Sequence, residues 1–171
     1  RVYFFQDETG GITTFHFGAP DLLPGDEVTV TGEISAYRGE IQLGSVTDIQ
    51  VTSPGVPPDP RIVSGAQVAN GLFQGELVQA SGTLLELLEL SYGNQRVTIR
   101  DSFGTSFTVY VDSRNGMTAD DWPEIGAMVQ VVGVLGTDDR DQDEGRGPRI
   151  EPRSVDDVSV MGAPAEGESE R

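Results

Sequence analysis

The side chains best placed to do chemistry fall into three groups. The first is the acidic loop Asp138-Asp139-Arg140-Asp141-Gln142-Asp143-Glu144-Gly145, which sets Asp139, Asp141 and Asp143 at alternate positions. That spacing turns carboxylate oxygens to one side of a loop and suits Ca²⁺. The match to an EF-hand loop fails at two places: Glu144 stands at the glycine position, and Ile150 where a bidentate glutamate is required. A charged hairpin tip without metal accounts for the same residues, and no other cofactor is expected. The second group is Arg96, Arg100 and Tyr110, with Arg149 between Arg146 and Arg153 as a basic rim. Cations that track phosphates and a ring that stacks on bases are what a single nucleic-acid strand needs. Pairing of these arginines with surplus carboxylates is the competing account. Phe4 and His16, with Gln6, form a third and poorer set. Catalysis finds few ingredients: one His, no Cys, no phosphate-cradling glycine loop and no nucleophile motif. A non-enzymatic protein is expected, with His16 a surface residue.

Charge and length bound what can hold these groups. The chain has 171 residues, enough for one sizeable core or two small ones. Asp and Glu number 28 against 11 basic residues, all of them Arg, for a formal net charge of −17. A high-GC genome with a solubilising acidic surface explains this, as does adaptation to salt, which the absence of lysine favours. Such a field repels phosphate backbones globally, so nucleic-acid binding requires a local arginine cluster. Without Cys there are no disulfides and no thiolate metal sites. No run approaches the roughly 18 apolar residues of a membrane-spanning helix. With no initiator Met and no leader, the sequence is expected to be a processed or excised piece of a longer protein.

Gly and Pro number 22 and 10, and short alternating runs of Val, Thr, Phe and Ile predict an all-β fold. Residues 2–17 read as a hairpin, Tyr3-Phe4-Phe5 and Thr13 to Phe17 joined by Asp7-Glu8-Thr9-Gly10-Gly11. Strands follow at Val28 to Ile34, interrupted by Gly32, at Ile41 to Leu43 and at Asp48 to Val51. The predicted division is a first unit over 1–52, a proline-rich linker over 53–63, a second unit over 64–161, and a disordered or linking tail over 162–171. Within the second unit, Ser64 caps a short helix ended by Gly71. The run 84–90, with five leucines, favours helix by propensity and strand by position, and position prevails. Leucines that cannot all face one core suggest a further buried contact, for example between domains. A hairpin over 95–111, a strand over 128–135 and closing segments at 149–151 and 157–160 complete the unit.

The two halves superpose as a repeat. Asp7 matches Asp101, Gly25 matches Gly126, Gly32 matches Gly133, Leu43 matches Ile150, and Ile49-Gln50-Val51 matches Val158-Ser159-Val160. The shared alternation predicts Tyr3, Phe5, Phe15 and Phe17 inside copy one, and Val97, Ile99, Val109 and Val111 inside copy two. Phe4, Gln6, Thr14 and His16, and Arg96, Thr98, Arg100, Thr108 and Tyr110, would then face outward.

Phe-Phe-Gln-Asp-Glu-Thr-Gly-Gly-Ile, followed by Leu-Leu-Pro-Gly-Asp-Glu-Val-Thr-Val-Thr-Gly-Glu-Ile, resembles the OB-fold modules of secreted bacterial proteins, which accompany extracellular nucleases, phosphoesterases and surface proteins. The second copy, Gly75 to Val158, is similar to the same group. The resemblance implies two tandem OB-like five-stranded β-barrels, a secreted or cell-surface location, and binding of single-stranded nucleic acid as the activity. Copy one departs from the pattern: its first strand is absent. Removal of an upstream strand explains the gap. So does complementation by the leucine run, the tail or a neighbouring copy, which would make the chain an interaction or self-assembling module.

Overall fold

A computed structural model describes residues 2–16, 18, 20–139 and 146–162. The tail beyond 162, the Phe17 side chain, and Asp141 and Asp143 of the proposed calcium loop lie outside the described residues. The fold is all-β and OB-like, in two sheets. The first holds β1 (Val2–Asp7), β2 (Gly10–Phe15), β3 (Glu27–Tyr37) and β4 (Glu40–Ser53). The second holds β5 (Arg61–Ile62) and, after α1 (Gly65–Ala69), β6 (Leu77–Glu89), to which β5 lies parallel, β7 (Gln95–Arg100), β8 (Ser106–Val111), β9 (Met128–Asp138), β10 (Gly147–Glu151) and β11 (Val158–Val160).

The second sheet closes on itself. Its order runs β6-β7-β8-β10-β9, and β9 pairs again with β6, so five strands form a ring. All the pairings of the ring are antiparallel except β8 with β10, where Ile150 lies parallel to Val109. This is the ring of a five-stranded OB-type barrel. The alternation of β7 and β8 turns Val97, Ile99, Phe107, Val109 and Val111 inward, and all are buried. Val68 of α1 plugs the core from one end, its helix started by a capping box between Ser64 and Gln67. Trp122 lies against the same core, its indole Nε1–H donating to Gln95 Oε1 at 2.8 Å. The leucine run is strand, the continuation of β6. An irregularity between Leu84 and Glu86 breaks its period, so Leu84 is buried, Leu87 packs at the core margin, and the other leucines are half-buried. The run is thus part of the second barrel and does not fill the first.

The first sheet has the same strand order with one member missing. Its order is β1-β2-β4-β3, again with a parallel contact, Thr13 beside Gln42. β1 corresponds to β7, β2 to β8 and β3 to β9. β4 runs without interruption along the path that β10 and β11 share in the barrel. The counterpart of β6, which would join β3 to β1, is absent among the described residues, so both strands are free edges. The match extends to single atoms. A Cβ on Gly32 would strike the carbonyl oxygen of Gly44, and a Cβ on Gly133 that of Glu151, the equivalent residue of the last strand.

The open sheet buries little. Every buried apolar side chain among the described residues lies at Val63 or beyond. Fully burying one such side chain contributes about 1.5–3 kcal/mol, so nearly all of the hydrophobic stabilisation belongs to the barrel. In the first sheet Tyr3 and Phe5 stack at 6.3 Å between ring centroids, yet both stay half-buried.

The hairpin register corrects one expectation. In the barrel Arg100 pairs with Ser106, six positions on, whereas Gln6 pairs with Gly11, only five positions on. The turn of copy one is one residue shorter, and a one-residue difference exchanges the faces of the returning strand. Thr14, opposite Tyr3, is therefore the inward residue and fully buried, its hydroxyl donating to the Leu43 carbonyl at 2.5 Å. Phe15 turns outward and is 52% exposed.

Candidate nucleic-acid interface

The two units meet at the start of β6, the end of β9 and β10. Gly11 and Gly75 approach so closely that a Cβ on either would overlap the other's backbone. Gln6 Oε1 accepts from the Leu77 amide at 2.7 Å, and the Asp139 amide donates to the Arg38 carbonyl at 2.9 Å. The Glu40 carboxylate enters this junction, accepting from the Thr13 hydroxyl at 2.9 Å. Burial pushes the Glu40 carboxyl above its usual range. Glu151 and Asp138 push the same way, while the Thr13 hydroxyl and Arg149 oppose them.

Arg149 belongs to that junction. Its residue is 8% exposed, Nε donates to Glu151 Oε1 at 2.8 Å, Asp138 lies 3.9 Å away, and the guanidinium sits 4.2 Å from the Tyr110 ring centroid. The expected surface cation is a buried one, held by two carboxylates and a ring. Arg153 is likewise engaged, donating Nε–H and Nη2–H to the two oxygens of Asp157. Pairing with carboxylates, the competing account of the sequence, holds for these arginines.

What remains open on the outer face is the row along β7. Arg96 stands opposite Tyr110 and Arg100 opposite Ser106. Arg96 is half-buried with Glu86 at 3.9 Å, a loose pair. The exposed Arg100 has no carboxylate partner among the described residues. Two aromatic side chains that sequence reasoning passed over lie at the two ends of this strand. Tyr92, in the turn between β6 and β7, is 94% exposed, and Phe103, in the turn between β7 and β8, is 85% exposed. Tyr92 also takes a left-handed backbone (φ 63°, ψ 20°), a conformation an L-residue adopts at a cost of about 1–2 kcal/mol. The signal in the sequence was an aromatic residue inside a turn, Ser91-Tyr92-Gly93-Asn94 and Ser102-Phe103-Gly104, where a ring has no core to enter.

The remaining predicted residues lie elsewhere. Phe4 faces outward on β1 with 39% exposure, and His16 is half-buried just past the end of β2. Both belong to the other sheet, and the structure does not add them to the Arg96–Arg100 row. Asp139 is exposed in the loop after β9, and no group of three potential metal ligands converges among the described residues.

No family model and no curated sequence relative matches this chain. Solved structures match in shape. OBody AM3L09 bound to hen egg-white lysozyme is 18% identical, with a TM-score of 0.44 over 61% of this chain and 96% of that one. OBody AM2EP06, also bound to hen egg-white lysozyme, is 18% identical with a TM-score of 0.43 over 63% and 97%. The asparaginyl-tRNA synthetase of Entamoeba histolytica is 13% identical, with a TM-score of 0.47 over 64% of this chain and 25% of the synthetase.

Proposed function

We propose that the chain is a non-catalytic binding module of a secreted or cell-surface protein, and that its closed barrel receives single-stranded nucleic acid across β7 and β8. The observation that carries this reading is the row Tyr92, Arg96, Arg100, Phe103. Two rings open to water bracket a strand whose exposed arginine has no carboxylate partner among the described residues. β7 and β8 are the second and third strands of the barrel, and Tyr92 sits on the loop between the first and second, the surface that OB-folds present to oligonucleotides.

The charge balance decides the character of the binding. Carboxylates farther than about 8 Å are screened at physiological ionic strength, so the overall charge does not forbid a local contact. With Arg96 and Arg100 the only cations on the row, at most two phosphates are neutralised. The expected slope of log K against log salt is then about −1.4, shallow for a nucleic-acid binder. Stacking supplies the rest, at about 1–3 kcal/mol per base. Fluorescence anisotropy with a labelled oligothymidylate tests this. Tyr92→Ala and Phe103→Ala should each weaken binding by about fivefold or more. No binding at low salt, or binding unchanged in both variants, would exclude the site.

A further inference from the structure

The centre of the barrel's outer face holds a carboxylate between its two arginines. Cross-strand pairing of β6, β7 and β8 sets three rungs across this face. Leu88, Arg96 and Tyr110 form the first, Glu86, Thr98 and Thr108 the second, and Thr83, Arg100 and Ser106 the third. Strict alternation from the buried Leu84 would send Glu86 inward and Leu87 out. The irregularity between Leu84 and Glu86 reverses this, so Leu87 packs at the core and Glu86 stands exposed opposite Thr98.

The middle rung suits a base edge and not a phosphate. Successive rungs of one face lie about 6.7 Å apart. Both arginine rungs are therefore within the roughly 8 Å screening length of the Glu86 charge, which drives phosphates away from the middle and toward the arginines. Arg96 lies 3.9 Å from Glu86, too far for a hydrogen bond. Among the described residues the Glu86 carboxylate and the hydroxyls of Thr98 and Thr108 have no hydrogen-bond partner, although both threonines are half-buried.

The kinds of group on this rung specify the base. An ionised carboxylate only accepts, through two oxygens, whereas a hydroxyl can donate. Glu86 and Thr98 stand on neighbouring strands about 4.8 Å apart, so the rung reads acceptor, acceptor, donor. Its complement is donor, donor, acceptor. Along the Watson–Crick edge, which a single strand leaves open, guanine alone has that order, in its N2 amino group, N1–H and O6. Adenine and cytosine set one amino group beside a bare ring nitrogen, which the second carboxylate oxygen repels. Thymine has one N–H between two carbonyls. We propose, resting on the single-strand reading above, that Glu86 and Thr98 select guanine. Glu86 accepts from N1–H and N2–H, the Thr98 hydroxyl donates to O6, and Arg96 and Arg100 take the flanking phosphates.

Fluorescence anisotropy with thymidylate oligomers of about eight nucleotides, each carrying one central replacement, tests this. Guanine at the centre should tighten binding about tenfold over thymine. Hypoxanthine, which keeps N1–H and O6 but lacks the N2 amino group, should fall between them, and adenine and cytosine should stay near thymine. Glu86→Gln replaces one acceptor with a donor, so it should abolish the guanine advantage while Tyr92 and Phe103 still stack. Thr98→Val should lower that advantage by less. Equal binding of guanine and thymine, with Tyr92→Ala and Phe103→Ala still weakening both, overturns the proposal and leaves the single-strand reading standing. So does a guanine preference that survives Glu86→Gln. A Glu86→Gln variant that binds every oligomer more tightly by the same factor also overturns it, for then the carboxylate only repels. Absence of binding by every oligomer at low salt removes both readings.

Discussion

The barrel and the open sheet use one strand plan and reach opposite outcomes. With β6 in place, β7 and β9 are joined, two faces of the ring turn inward, and Ile99, Leu135 and Ile150 lose all contact with water. Without a counterpart among the described residues, the same plan in the first unit leaves Tyr3, Phe5, Val28 and Val30 half-exposed and two edges unpaired there. A single strand contributes only a share of the apolar surface, yet it converts every neighbour's half-buried side chain into a buried one. Closure of the ring, more than the composition of any strand, decides where the stability of this protein lies.

Matched substitutions should expose the difference most strongly. Ile150 and Leu43 are equivalent residues, one fully buried and the other half-buried. Ile150→Ala should cost about 2–5 kcal/mol of unfolding free energy in denaturant titration. Leu43→Ala should fall below that range, and equal costs would break the comparison. A smaller effect belongs to the connection between the third and fourth strands, which in the barrel packs Met117 and Trp122 into the core. Trp122→Phe deprives the buried Gln95 Oε1 of its donor and should destabilise the barrel by about 1–3 kcal/mol. Among the described residues, the corresponding stretch of the first unit has no buried apolar residue to lose.

The smallest expected effect lies where the two units touch. Burial raises the Glu40 carboxyl above its ordinary 4.5, so the docked junction binds its proton more tightly than the separated units do. The contribution is fully present below pH 4.5 and is lost as pH rises through the raised value. Docking, read by exchange of the amides at Leu77 and Asp139, should weaken across that window. Glu40→Gln keeps an acceptor for the Thr13 hydroxyl and removes the titration, so its profile should be flat and its docking at neutral pH stronger than that of the parent. A variant with the parent's pH profile would show that another group controls the junction.

Much of this plan was legible in the sequence. The equivalence of Gly32 with Gly133 and of Leu43 with Ile150 matched the strands of one unit to those of the other, and the match left β6 without a counterpart among the described residues. The face of β2 was not legible. Phe15 looks like a core residue, and only the hairpin register reveals that a turn shorter by one residue buries Thr14 instead. The candidate site was read in part. Arg96 and Arg100 are open to the outer face, but Arg149 reads identically in the sequence and becomes a buried cation because Glu151, Asp138 and Tyr110 converge on it. Tyr92 and Phe103 were overlooked because an aromatic in a turn adds nothing to a periodic pattern.

Amide hydrogen exchange along β3 and β9 tests the central claim most directly. β9 is paired on both sides, with β6 on one and with β10 and β11 on the other, whereas among the described residues β3 has only β4. Amides from Met128 to Val134 should all be protected. From Glu27 to Glu33, alternate amides, those pointing away from β4, should exchange near the rate of an unstructured chain. Uniform protection through residues 27–33 in the isolated chain would contradict the account, for it would mean that the first sheet has no free edge.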